Sequence, residues 1–278
     1  MIERIVINNR ILNEQGCFLT GINGLGYAGY DVTTIKPVYM YGWNVTHGKP
    51  KGFTFSLELL ITGKTMAELA ENRTRVFGIL NTIDRYGVHV MKFERADGVV
   101  LQLDAVGYDA PSEIKAQDGL SSRVMIKFVS TASVLKSETP TTVRLDLEAT
   151  RGGMTVPMDV PMDMGTDLGD AGTIVTNYGN ASVGVYVEYH PELNDPVITN
   201  VTTGIPLQLN AEVLTGKWWI DTDRYIAKND LGYSVVHLFL GISEFHIVAG
   251  ENLLRLTSSD GNDEGYAMVT FANGYANL

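Results

Sequence analysis

A mostly β protein built from two domains in series is what this sequence predicts, the first domain β-rich with a single helix and the second a β-sandwich. Three observations lead there. Apolar and polar residues alternate with a period of two in many short runs, which is how a half-buried strand is written. One segment alone repeats its apolar residues at helical spacing. The charge also divides near residue 138, with 15 Lys and Arg against 14 Asp and Glu before it, and 6 against 18 after it.

The first domain is expected over residues 1–136. It opens on the alternating Ile5-Val6-Ile7, followed by a glycine-rich stretch from Gly21 to Gly29 that suits turns and bends. Residues 36–46 read as an aromatic strand carrying Tyr39, Tyr41 and Trp43. Phe53, Phe55, Leu57 and Leu59 then share one face of a strand, with Thr54, Ser56 and Glu58 on the other. The helix is expected over 65–85. Thr65 is its N-cap, Glu68 completes a capping box, and Leu69, Val76, Phe77, Leu80 and Ile83 form its apolar stripe, with Gly87 as the stop. A single amphipathic helix among strands must cover a sheet. Strands follow at Val88–Arg95 and Val99–Val106, joined through Ala96-Asp97-Gly98, and at Ser121–Ser130.

Residues 137–172 are rich in Pro and Gly and read as a connector, with strands at Val143–Leu147 and Met154–Val160. The second domain, 173–278, is strand and turn throughout. Its expected strands are Val183–Tyr189, Val197–Val201, Pro206–Leu209, Lys217–Asp221, Tyr225–Ala227, Val235–Leu240, Phe245–Val248, Asn252–Thr257 and Tyr266–Phe271. Short strands at such spacing, separated by turns such as Thr215-Gly216, indicate a sandwich.

Composition narrows the function. The net charge is −11, nearly all of it in the second half, and no basic stripe is present, which argues against sequence-specific nucleic-acid binding. No apolar run reaches membrane-spanning length, and the first residues alternate instead of forming a signal peptide. The single cysteine, Cys17, cannot form an internal disulfide and reads as a small core residue. No nucleophile elbow, P-loop, zinc-protease motif or cysteine pair is present, so no enzyme, cofactor or metal is expected. His237 and His246 lie on strands that could pair, yet they read as separate side chains. The carboxylates Asp159, Asp163, Asp167 and Asp170 lack a calcium-loop signature and read as a solvated linker. Trp218 and Trp219 must point to opposite faces of their strand, one inward and one toward solvent or a partner.

The order of these pieces resembles the distal tail (Dit) proteins of long-tailed bacteriophages. Asn177-Tyr-Gly-Asn-Ala with alternating Val185–Tyr189 looks like that family's entry into its C-terminal sandwich. Pro196-Val-Ile-Thr-Asn-Val-Thr-Thr-Gly, then Leu214-Thr-Gly-Lys-Trp-Trp-Ile-Asp-Thr, then Phe245-His-Ile-Val-Ala-Gly-Glu-Asn-Leu-Leu follow in the family's order, with Ala249 where a Pro is common. In the first half the Phe53–Gly63 strand and the helix after it look like the family's N-terminal domain. The resemblance implies a tail-tube-like first domain and a galectin-like second one. It also implies a structural, non-enzymatic protein closing into a hexameric hub ring at the distal end of the virion tail, made in the host cytoplasm. The ring would join the tail-tube protein to the tail-tip hub and receptor-binding proteins, with genome DNA passing through it. Tyr39, Tyr41 and Trp43 are then candidates for the intersubunit surface, and Trp218 and Trp219 for an outward or partner-binding one. A carbohydrate-binding sandwich using Trp218 or Trp219, and a tail-tube subunit, are the competing readings.

Overall fold

The two-residue alternation becomes strand wherever one parity is apolar. In the computed structural model, residues 2–26, 30–35, 44–50, 52–81, 88–107, 112–115, 119–130, 132–147, 172–259 and 264–278 are described. The chain divides into two units. Unit 1 is Met1–Glu138 with Gly274–Leu278, and unit 2 is Thr139–Asn273.

Unit 1 contains β1 (Ile2–Ile7), β2 (Arg10–Ile11), β3 (Cys17–Asn23), β4 (Tyr30–Ile35), β5 (Asn44–Pro50), β6 (Thr54–Thr62), α1 (Met66–Asn81), β7 (His89–Arg95), β8 (Val100–Gly107), β9 (Ser112–Lys115), β10 (Ser121–Val129) and β11 (Leu135–Ser137). Unit 2 contains β12 (Thr141–Asp146), β13 (Thr173–Asn177), β14 (Tyr186–His190), β15 (Leu193–Asn194), β16 (Val197–Asn200), β17 (Ile205–Leu209), β18 (Glu212–Val213), β19 (Trp218–Asp221), β20 (Ile226–Lys228), β21 (Phe239–Leu240), β22 (Gly250–Thr257) and β23 (Tyr266–Phe271). The chain then returns to unit 1 in β24 (Gly274–Tyr275).

In unit 1 a ten-stranded sheet has seven strands in the order β2-β1-β7-β8-β10-β6-β3, with β9, β11 and β24 paired off that path. The far edge of β8 is shared. Its start pairs with β11, at Gln102 opposite Lys136, and its end with β10, at Gly107 opposite Phe128. β11 holds β24, which ties the C-terminal residues into this unit. The apolar face of β6 is the centre of the core, with Phe55, Leu57, Leu59 and Ile61 all at most 2% exposed. Phe55 stacks on Phe128 at 5.3 Å and meets Phe93 edge-on at 6.4 Å. Burying each such side chain stabilises the unit by about 1.5–3 kcal/mol.

α1 covers this sheet through Leu69, Val76 and Ile79. Its cap differs in one detail from the expected box. The Glu68 amide donates to Thr65 Oγ1 at 3.2 Å, but the Glu68 carboxylate takes the amide of Lys64, one residue earlier, at 2.8 Å. Gly63 is what lets the strand turn directly into the helix, since a Cβ there would lie 2.3 Å from the Leu69 amide nitrogen. Residues 82–87, where the helix is expected to run on, lie outside the described residues. The Ala96-Asp97-Gly98 hairpin is present, with Gly98 at φ +80° in the left-handed position that a three-residue loop requires.

Unit 2 is built on two five-stranded antiparallel sheets, β12-β23-β14-β19-β20 and β13-β22-β16-β17-β21. Inward parity is apolar in both: Leu145, Val187, Ile220, Ala267 and Val269 from the first, Val175, Ile198, Leu207, Leu254 and Leu256 from the second. Within the stretch 137–172, expected as a connector, Thr141–Asp146 is a full strand of unit 2, paired residue for residue with β23. Met154–Val160 and the four clustered carboxylates lie outside the described residues. Val235–Leu240 is not one strand. Val236–Leu238 forms a 3-10 turn, so Val235 and Phe239, four apart, are the buried pair. Phe245–Val248 keeps its alternation, burying Phe245 and Ile247. Its pairing, however, is reduced to a bridge between Ile247 and Val183, because Asn252 takes both the Val248 amide and carbonyl.

Candidate interaction surfaces

Two surfaces follow from this architecture. In unit 1, β3 ends the sheet, and among the described residues no strand pairs with its outer edge. A free edge of this kind is a template for another chain. Phe18, on that strand, leaves 55% of its surface exposed. After β3 the chain enters a two-stranded ribbon, β4 with β5, which among the described residues pairs with no other strand. The aromatic candidates Tyr39, Tyr41 and Trp43 fall between these two strands, outside the described residues.

In unit 2 the Trp pair straddles β19. Trp218 shares the inward parity of Ile220, and it lies opposite the buried Tyr189. Trp219 takes the outward parity, opposite Glu188 on β14 and Lys228 on β20. Both indoles are half-buried. The outward face gathers residues that the sequence reading did not single out. Tyr186 lies 5.6 Å from Trp219, and the Lys228 ammonium stands 5.9 Å above the indole. His190 stacks on Tyr266 at 4.3 Å, and the Arg144 guanidinium covers the Tyr266 ring at 3.8 Å.

Glu188 is the hub of that face. Its carboxylate accepts from Lys217 Nζ at 3.0 and 3.1 Å and from the Tyr186 hydroxyl at 3.0 Å, and it faces His190 Nε2 at 3.6 Å. Burial works to raise the Glu188 carboxyl, but the bonds from Lys217 and Tyr186 and the nearby charges outweigh it and hold it below the ordinary range. Burial, the bond to Glu188 and the charges of Glu188 and Asp221 push the Tyr186 hydroxyl up to about 12, so it remains a donor. The period-two pattern of 185–189 and 266–271 marks these residues as outward. Their meeting depends on strand register across β12, β23, β14 and β19, which the sequence does not reveal.

Reactive groups are otherwise quiet. The Cys17 thiol is buried, and burial, partly offset by Arg75, raises it to about 11. His246 Nδ1 bonds the Glu244 carbonyl at 2.8 Å, and His237 sits exposed in the 3-10 turn. Among the described residues no group of three or more His, Cys, Asp or Glu could hold a metal ion, and no helix is long and apolar enough to cross a membrane.

No protein-family model matches the chain, and no curated sequence does. Solved structures do. The crystal structure of the Dit protein (gp 19.1) of phage SPP1, described as a paradigm of the hub adsorption apparatus in phages infecting Gram-positive hosts, matches with a TM-score of 0.60. It is 12% identical, and the match covers 97% of this chain and 98% of that one. A chain of the phage P2 baseplate in its activated conformation with Ca matches with a TM-score of 0.44 at 10% identity, covering 97% and 98%. The Sr form of that baseplate gives 0.43 at 10%, covering 96% and 97%. These two likenesses are looser and add nothing to the fold assignment. The chain shares the mostly β fold of the SPP1 Dit protein over nearly its whole length.

Proposed function

We propose that this chain is a distal tail protein, a structural subunit of the phage tail tip without catalytic activity. The supporting observation is the match to the SPP1 hub protein, which spans both units and leaves almost none of either chain unaccounted for. Six copies close into a ring that joins the tail tube to the tail-tip hub and the receptor-binding proteins.

A closed ring of identical subunits needs two different, complementary surfaces on each copy. The outer edge of β3 and the β4–β5 ribbon supply such surfaces in unit 1. Tyr39, Tyr41 and Trp43, between the ribbon strands, belong to the contact in this reading. Unit 1 is electrically balanced, which suits close packing of copies around a channel. Unit 2 carries the acidic excess and suits the periphery, where it keeps assembled particles apart.

Light scattering on the purified protein tests the ring. A mass near six times 30.4 kDa is expected. A monomer at every concentration would sink the proposal.

A further inference from the structure

Unit 2 is acidic overall, yet the outward face of β12-β23-β14-β19-β20 is balanced. Arg144, Lys217 and Lys228 stand on it against Asp146, Glu188 and Asp221. Along β14 the outward residues are Tyr186, Glu188 and His190. The carboxylate is therefore flanked by two ring pairs, Tyr186 with Trp219 and His190 with Tyr266. Tyr186 and His190 are four residues apart on an extended strand, about 13 Å. The polar groups are held but not sealed. The Glu188 and His190 side chains each keep 23% of their surface, and Lys217 keeps 54%.

A pyranose ring presents an apolar C–H face and a rim of hydroxyls. The first suits an aromatic ring, and the second suits fixed donors and acceptors beside it. Glu188 is an acceptor already oriented by Lys217 and Tyr186, and Lys217 is a donor beside it. Charge selects among glycans. Nothing on the balanced face favours a charged chain, and the −12 unit around it repels phosphate- or carboxylate-rich polymers. We propose that the face formed by Tyr186, Glu188, His190, Trp219 and Tyr266 binds a neutral oligosaccharide, with Glu188 and Lys217 taking its hydroxyls and Trp219 its apolar face.

The full-length protein on a glycan array tests this. The array carries neutral hexose and N-acetylhexosamine oligosaccharides beside hyaluronate and glycerol-phosphate polymers. Retention on one or more neutral glycans is expected, falling about tenfold or more in Glu188→Gln and in Trp219→Ala, a loss of about 1.4 kcal/mol or more. Thr199→Ala, on the other sheet, should leave it unchanged. Melting curves check that each variant folds, and Trp219→Phe, which keeps a smaller ring, should retain more than Trp219→Ala. Retention of charged polymers alone, of no glycan, or retention that survives both substitutions would overturn the proposal. None of these outcomes depends on whether the ring forms.

Discussion

Unit 1 and unit 2 solve the problem of buried polar groups in different ways. Unit 1 buries a titratable ring. His89 is 2% exposed, and its Nδ1 meets the Asn8 amide at 2.6 Å. Unit 2 buries a cluster of neutral amides, Asn177, Asn200 and Asn252, each at most 1% exposed, and its buried ring, Tyr189, is one that acid leaves uncharged. Asn252 alone receives the Asn200 amide at 2.9 Å and the Val248 amide at 3.0 Å, and donates to the Val248 and Gly250 carbonyls at 2.8 and 3.0 Å. The charge split runs alongside this difference. The balanced unit carries a core group that acid can charge, whereas the acidic unit ties its loops with groups that do not titrate. Acid should therefore reach the first unit before the second.

The comparison can be broken at several points. The largest effect is expected from Phe55→Ala, which removes a ring packed against both Phe93 and Phe128 and should cost about 3–5 kcal/mol. Hydrogen exchange read by mass spectrometry should show faster exchange across β6, β7 and β10, with unit 2 peptides unchanged. Spread of the loss into unit 2 would mean that the units do not unfold separately.

Asn252→Ala should be next, at about 3 kcal/mol. It strips partners from the part-buried Val248 amide and from the buried Asn200 side chain. Faster exchange should be confined to β16, β22 and the 245–249 segment. An undisturbed unit 2 would show that water replaces the amide.

The pH response is the third point. Burial lowers the His89 pKa from its ordinary 6.5, so on acidification the unfolded chain takes its proton first. The stability His89 contributes is complete above about pH 6.5 and is lost as pH falls through the lower folded value. Glu188 is also held low, so its contribution survives until pH falls below the ordinary carboxylate range. Protection of the β1 and β7 amides, taken relative to the intrinsic exchange rate at each pH, should therefore fall between pH 7 and pH 5, before β14 and β19 respond, and His89→Gln should remove that early change.

The smallest effect is Lys217→Ala. Its pair with Glu188 is half exposed, so the expected stability loss is under about 1 kcal/mol. A larger loss in thermal melting would mean that the Glu188 network holds unit 2 together and is not mainly a recognition surface.

Much of the fold was legible because burial here follows parity. The Phe55, Leu57 and Leu59 face, the helix beginning after Thr65, the Gly98 hairpin and the strand Tyr266–Phe271 all come straight from spacing. Runs where parity competes with something else were not legible. Val235–Leu240 is apolar at nearly every position, so period two and a 3-10 turn fit it equally well. The strand at Thr141–Asp146 is expected, at Val143–Leu147, but its membership of unit 2 emerges only from a partner more than a hundred residues away. The outward face of unit 2 was hidden for the same reason. Trp219 is conspicuous in the sequence, but Glu188 becomes its neighbour, and Arg144 and Tyr266 join the same face, only through strand order. The C-terminal Gly274–Tyr275 pairing with β11 likewise carries no local signal.

Cryo-electron microscopy of the purified protein tests the central claim most directly. The account predicts a closed six-fold ring, with copies joined through unit 1 at the β3 edge and the β4–β5 ribbon, and with unit 2 outermost. A ring closed through unit 2, or isolated single copies, would contradict it.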